Sequence, residues 1–94
     1  MDPIQILLIR CKTLDKRIAS IENADTESEK SRLAVIASNL ADRISEKTPK
    51  DILDENIQIY LDQFSFAVYA DNMKWARELV EKIRTLIRNR SVLF

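Results

Sequence analysis

The chain has 94 residues with 15 basic and 15 acidic side chains, no Gly, no His and one Cys. The length indicates a single domain over residues 1–94, and a hydrophobic fraction of 46% is typical of a globular one. The lack of Gly argues against β-hairpins and phosphate-binding glycine loops. The lack of His removes the commonest general base and metal ligand.

The first predicted helix covers residues 3–22. Asp2 followed by Pro3 is typical of an N-cap and the first helical position. Apolar residues then recur at alternating steps of three and four, which is the pattern of a helix that packs against other helices. Asn23 is suited to end the helix. The apolar seam consists of Ile4, Leu7, Cys11, Leu14, Ile18 and Ile21.

The second predicted helix covers residues 27–46. Thr26 and Glu29 have the spacing of a capping box, which marks a helix start. Pro49 disfavours helical geometry at the residue before it, so the helix should end shortly before Thr48. The predicted apolar stripe consists of Leu33, Ile36, Ala37, Leu40, Ala41 and Ile44.

The third predicted helix covers residues 49–70, because Thr48 and Pro49 repeat the pattern of a cap followed by Pro. It has a main apolar stripe and a second stripe on another side. A helix that is apolar on two sides either lies centrally in a bundle or faces a partner. The main stripe is Leu53, Ile57, Tyr60, Leu61, Phe64, Ala67 and Val68, and the second is Ile52, Ile59 and Phe66.

The fourth predicted helix covers residues 72–90 and follows a turn at Asp71-Asn72. No segment alternates between apolar and polar residues for long enough to indicate a strand. All connections are short, which favours antiparallel neighbours. The sequence therefore predicts an all-α protein, an antiparallel helical bundle of about four helices.

Charge is unevenly distributed along the chain. Residues 49–73 hold five acidic residues and one Lys, whereas residues 74–94 hold six basic residues and two Glu. We interpret the third and fourth helices as charge-complementary neighbours. A different interpretation is a basic edge that binds RNA or another polyanion, although the neutral total charge argues against nucleic acid as the main partner. The basic-edge candidates are Arg77, Arg84, Arg88 and Arg90.

No motif with a nameable catalytic mechanism is present, so we expect neither an enzyme nor a cofactor or metal site. Cys11 lies on the seam of the first helix and should be a small buried hydrophobe. A single Cys suits a reducing compartment, the cytoplasm or the nucleus. No apolar run reaches the length of a membrane span.

The apolar surplus of the first and third helices and the aromatic residues between positions 60 and 75 suggest protein contacts. Aromatic side chains at helical spacing usually fill a core, and the alternative is an exposed interface anchor. The sequence predicts a non-catalytic interaction module, a small adaptor or assembly subunit, that binds a partner protein or forms a homodimer. The candidate contact residues are Ile6, Ile9, Ile59, Phe66, Tyr69 and Trp75.

Two stretches also resemble a known helical domain. The pattern Ala76-x-x-Leu79-Val80-x-Lys82-Ile83-Arg84-x-Leu86 is similar to the last helix of the scaffold-binding domain in J-protein co-chaperones of iron–sulfur assembly. Asp2-Pro3 with Leu7-Leu8-Ile9 is similar to the first helix of that domain. The sequence departs from it at Lys12, Thr13, Thr85 and the Thr48-Pro49 break. The resemblance implies binding to a scaffold protein and is a minor alternative.

Overall fold

The computed structural model describes residues 2–93 and the side chains of residues 2–89. Over this range the chain forms four helices and no strand, which confirms the predicted all-α bundle. The helices are α1 (Pro3–Glu22), α2 (Glu27–Lys47), α3 (Glu55–Tyr69) and α4 (Met73–Leu93).

The four helices form a ring in which α1 and α3 each pack against both α2 and α4. Ion pairs show the direction of α4 relative to α1, since Arg84 contacts Asp15 and Arg77 contacts Glu22. Residue numbers rise along one helix as they fall along the other, so the two helices are antiparallel. The bundle measures 45 × 21 × 21 Å and has its core along the long axis.

Side-chain caps start the first two helices where the sequence predicts them. The Asp2 carboxylate accepts the Ile4 N–H at 2.9 Å, and the Thr26 hydroxyl accepts the Glu29 N–H at 3.1 Å. Each cap satisfies a backbone donor that has no partner within its helix. The predicted seam of α1 is buried except for its first residue, which is half-buried. The buried part is Leu7, Cys11, Leu14, Ile18 and Ile21.

The buried side of α2 is rotated relative to the prediction. Small side chains occupy the core, namely Ala34, Ala37, Ser38 and Ala41, together with Ile44. Ser38 is tolerated there because its hydroxyl donates to Ser65 Oγ on α3 at 2.9 Å. Of the larger predicted members, Leu33 and Leu40 are half-buried against this core, and Ile36 is half-buried. Sequence periodicity favours the larger side chains, whereas packing admits the smaller ones between the helices.

The third helix begins six residues later than the predicted start at 49. The N–H groups of Ile52 and Leu53 donate to the Pro49 carbonyl, which closes a single turn. Asp54 then adopts extended geometry, with φ −76° and ψ 172°, and its carboxylate accepts the Ile57 N–H at 2.8 Å. The prediction was wrong here because Asp54 is itself the N-cap, and an N-cap residue cannot continue a preceding helix.

In the turn between α3 and α4, Asp71 occupies the position after the helix C-cap, where Gly is usual. The Asn72 N–H donates to the Ala67 carbonyl and the Asp71 N–H donates to Val68, which is the Schellman pattern. Asp71 has φ 55°, the left-handed conformation that favours Gly. Asn72 then caps α4, since its side-chain oxygen accepts the Trp75 N–H at 3.1 Å.

We expect Asp71→Gly to raise the free energy of unfolding by about 0.5–1 kcal/mol, because Gly adopts this conformation without a Cβ clash. Urea denaturation would measure the change. Asp71→Ala is the matched control, since it removes the carboxylate but retains Cβ. If Asp71→Ala stabilises the protein as much as Asp71→Gly, the explanation by backbone conformation is wrong.

Candidate interaction surfaces

Three large apolar side chains are exposed on the side of the bundle formed by α2 and α3. Phe66 is 69% exposed, Tyr69 is 58% exposed and Val35 is 45% exposed. Phe66 and Tyr69 are three residues apart and therefore neighbours on one face of α3. Val35 and Tyr69 line the same surface depression. We call these three residues the aromatic face.

Polar contacts between α2 and α3 explain why the aromatic face points outward. Gln58 donates to Ser45 Oγ at 3.1 Å, and Ser38 donates to Ser65 Oγ at 2.9 Å. These contacts direct the Gln58 and Ser65 side of α3 towards α2. Phe66, one residue after Ser65, is thereby placed about 100° further round the helix, away from the core.

The depression beside the aromatic face has a volume of about 190 Å³. Its apolar lining comes from three helices and lies next to both charged and hydroxyl groups. Such a mixture of apolar centre and polar rim is typical of protein-binding surfaces. The lining residues are Ile21, Glu27, Lys30, Ser31, Ala34, Val35, Val68, Tyr69 and Asp71.

The other predicted contact residues lie in different environments. Ile59 is exposed on α3, seven residues before Phe66 and therefore about 10 Å from it along the helix axis. Ile52, the remaining member of the predicted second stripe, packs against the core from the turn before α3. Trp75 is half-buried and also packs against the core. The second stripe is therefore exposed only at Ile59 and Phe66.

Ile6 and Ile9 are one turn apart on α1 but differ in exposure. Ile6 is half-buried and lies beside Thr48 and Pro49, in the connection after α2. Ile9 is 48% exposed, and the side chains one turn away on that side of α1 include the exposed Gln5 and Lys12. A single exposed apolar residue of this kind is ordinary. Ile9 is therefore a suitable control position for the aromatic face.

The predicted basic edge of α4 is largely occupied by ion pairs with α1. Arg77 makes two hydrogen bonds to the Glu22 carboxylate, and these lower the pKa of that carboxyl below its usual value. Arg84, whose side chain is only 11% exposed, contacts Asp15 and also donates to Glu81 at 2.6 Å. Of these contacts, the Arg84–Glu81 pair lies within α4, and the pairs with Asp15 and Glu22 join α4 to α1.

The rest of the basic edge is discontinuous. Arg88 is exposed and has no ion pair among the described residues. The side chain of Arg90 lies outside the described residues. On the α3 side, Lys82 lies 5.6 Å from the centre of the Tyr60 ring, a cation–π contact in place of a carboxylate pair.

The single thiol is poorly placed to react. Cys11 is buried, and burial raises the pKa of its thiol from 9.0 to about 11. A protonated, enclosed thiol is a poor nucleophile. Among the described residues, no cluster of three or more acidic or Cys side chains is placed to hold a metal. Within the same part of the chain, no helix combines the length and apolar character needed to cross a bilayer.

No family model matches the sequence, and neither the comparison with curated proteins nor that with solved structures finds a match. Function is therefore inferred from the residues and their geometry.

Sequence reasoning identified Ile59, Phe66 and Tyr69 as exposed candidates but missed Val35. Val35 carries no pattern of its own, because it is a lone apolar residue on the outer side of α2. Its place beside Tyr69 depends on the register of α2 against α3, which the Ser38–Ser65 contact sets. No signal within the α2 sequence gives that register.

We expect Arg84→Met to lower the free energy of unfolding by about 1–2 kcal/mol, because the Arg84 side chain is largely buried and pairs with two carboxylates, Asp15 and Glu81. Arg77→Met should cost less, because both members of its pair are well exposed. Urea denaturation at low and high salt would measure both variants. Equal losses for the two would contradict the ranking by burial.

The Cys11 thiol should reduce stability at alkaline pH. Its pKa is raised in the folded protein, so the unfolded chain ionises first as the pH rises above 9. Stability from this residue is complete below pH 9 and is lost towards pH 11, by up to about 2–3 kcal/mol. Comparing wild type with Cys11→Ala across this range isolates the effect. A parallel decline in both proteins would show that the thiol does not contribute.

Proposed function

We propose that this protein is a non-catalytic protein–protein interaction module, a small adaptor or assembly subunit, that binds a partner protein or a second copy of itself through the aromatic face. The observation that supports the proposal is the joint exposure of Phe66 and Tyr69 beside a shallow depression. Aromatic side chains of this kind are enriched among the residues that dominate binding energy. Their exposure leaves apolar area in water that a partner would remove.

The single free Cys suits a reducing compartment, and we therefore propose the cytoplasm or the nucleus as the site of action. RNA binding by α4 gains no support from the geometry, because Arg77 and Arg84 are engaged with carboxylates. The resemblance to a scaffold-binding domain names one kind of protein partner and is compatible with the same proposal.

The double variant Phe66→Ser/Tyr69→Ser should lose partner binding and remain folded. Both positions are exposed, so we expect the free energy of unfolding to change by no more than about 0.5 kcal/mol for each. Affinity capture with quantitative mass spectrometry would detect loss of a partner protein. Sedimentation velocity over a range of concentrations would detect loss of self-association.

Ile9→Ser is the matched control, because Ile9 has a comparable exposed fraction but lies on α1, away from the aromatic face. It should retain whatever the wild type binds. If the double variant retains every partner and the same sedimentation behaviour, the aromatic face is not the binding surface.

A further inference from the structure

A second surface with different chemistry lies between α1 and α2, on the side of the ring opposite α3 and α4. Two shallow depressions follow this groove. One has a volume of about 180 Å³ and is lined by Pro3, Ile6, Arg10, Lys47, Thr48 and Pro49. The other has a volume of about 210 Å³ and is lined by Arg17, Ile36, Asn39, Leu40 and Arg43. We call the surface that holds Arg10, Arg17, Arg43 and Lys47 the basic groove.

The four cations of the basic groove have no ion pair among the described residues. The reason lies on the far side of α1. Its acidic residues Asp15 and Glu22 face α4, where they contact Arg84 and Arg77. The basic residues of α1 that face α2 are therefore left without partners, although the whole chain has a net charge of zero.

Within residues 2–89, the carboxylates of α2 form no ion pair with the cations of the groove. Glu46 lies one turn after Arg43, is exposed, and forms no ion pair among the described residues. Glu29 is at the other end of α2, in the first turn. Asp42 is next to Arg43 in sequence and therefore projects about 100° away round the helix. The basic groove thus retains a positive charge excess.

The floor of the basic groove is apolar. Ile36 and Leu40 are half-buried and four residues apart, so they lie one turn apart on the same face of α2. Ile6 extends this apolar lining at the other depression. An apolar strip flanked by cations is complementary to a helix with apolar residues on one face and carboxylates along its margins.

We propose that the basic groove binds an acidic amphipathic helix of a partner protein. Arg10 and Arg17 are seven residues apart on α1, about 10 Å along its axis, and Arg43 and Lys47 are four residues apart on α2, about 6 Å. These distances match carboxylates placed two turns and one turn apart on a bound helix. This surface is separate from the aromatic face, so the inference does not depend on the function proposed above.

The lining of the groove favours a protein helix over single-stranded nucleic acid. Binding of unpaired bases relies on aromatic side chains as stacking platforms. None of the residues that line the two depressions is aromatic. Ile36 and Leu40 instead provide the apolar contact that leucine-type side chains of a partner helix require.

The test uses the full chain and a fluorescein-labelled synthetic helix of 18 residues, with Leu on one face and Glu along both margins. Fluorescence anisotropy gives the dissociation constant at low and moderate salt. Arg17→Glu/Arg43→Glu should raise that constant at least tenfold, because it reverses two of the four cations. Replacing the peptide's Glu by Gln, or its Leu by Ser, should weaken binding to the wild type.

The matched control is Lys12→Glu/Lys16→Glu, which makes the same change in the net charge of the whole chain with both substitutions on α1. Both lysines are exposed, and neither lines the groove. This variant should bind the peptide within about twofold of wild type, apart from a weak long-range effect that salt screens. Circular dichroism and urea denaturation establish that both double variants are folded.

The proposal is overturned if the acidic helix does not bind the wild type, or if both double variants lose binding equally. Tighter binding of an oligouridine that is lost in Arg17→Glu/Arg43→Glu would overturn it as well. Self-association that disappears in the same variant would also overturn it, since the occupant would then be a second copy of this chain. Loss of binding only in Phe66→Ser/Tyr69→Ser concerns the aromatic face and not the basic groove. The failure of one proposal can therefore be distinguished from the failure of the other.

Discussion

Arg77 and Arg84 extend from α4 to Glu22 and Asp15 on α1, and their spacing is seven residues on both helices. Equal spacing means that the two helices stay in step over two turns, so the ion pairs fix their antiparallel register. The energy of the exposed Arg77 pair is small, and that of the Arg84 pair is larger because the Arg84 side chain is largely buried. Because they engage the carboxylates of α1 on the α4 side, they also leave the α2 side of α1 positively charged.

The α2–α3 pairing has the same spacing with different chemistry. Ser38 with Ser65, and Ser45 with Gln58, are again seven residues apart on both helices. Small buried residues on α2 provide room for these polar contacts at close approach. The cost falls on α3, because the rotation that turns its polar side towards α2 leaves Phe66 in water. Each helix pair therefore determines the chemistry of the surface beside it.

Local sequence patterns predicted the helices and several of their ends. Features that depend on how the helices pack against each other could not be predicted from the sequence. The caps at Asp2 and Thr26 act over three residues and are readable in sequence. The start of α3 was misplaced because both Thr48-Pro49 and Asp54 have the sequence of a helix start. In the structure, residues 49–53 form a single turn, and the helix begins only after Asp54. For Phe66 the sequence left two interpretations open, burial in the core and exposure at an interface. Pairing of α4 with α1 was missed, since charge counted along the chain does not show which helices face each other.

The two proposed surfaces would differ in their response to salt, and this distinguishes their roles in one molecule. Attraction between the basic groove and carboxylates weakens as ions screen it. Contact with the aromatic face depends on removing apolar area from water, which moderate salt does not weaken. Both surfaces include α2, whose buried side is built mainly from small residues. An occupant of either surface would therefore stabilise the same thin core, because any ligand that binds only the folded state raises the free energy of unfolding.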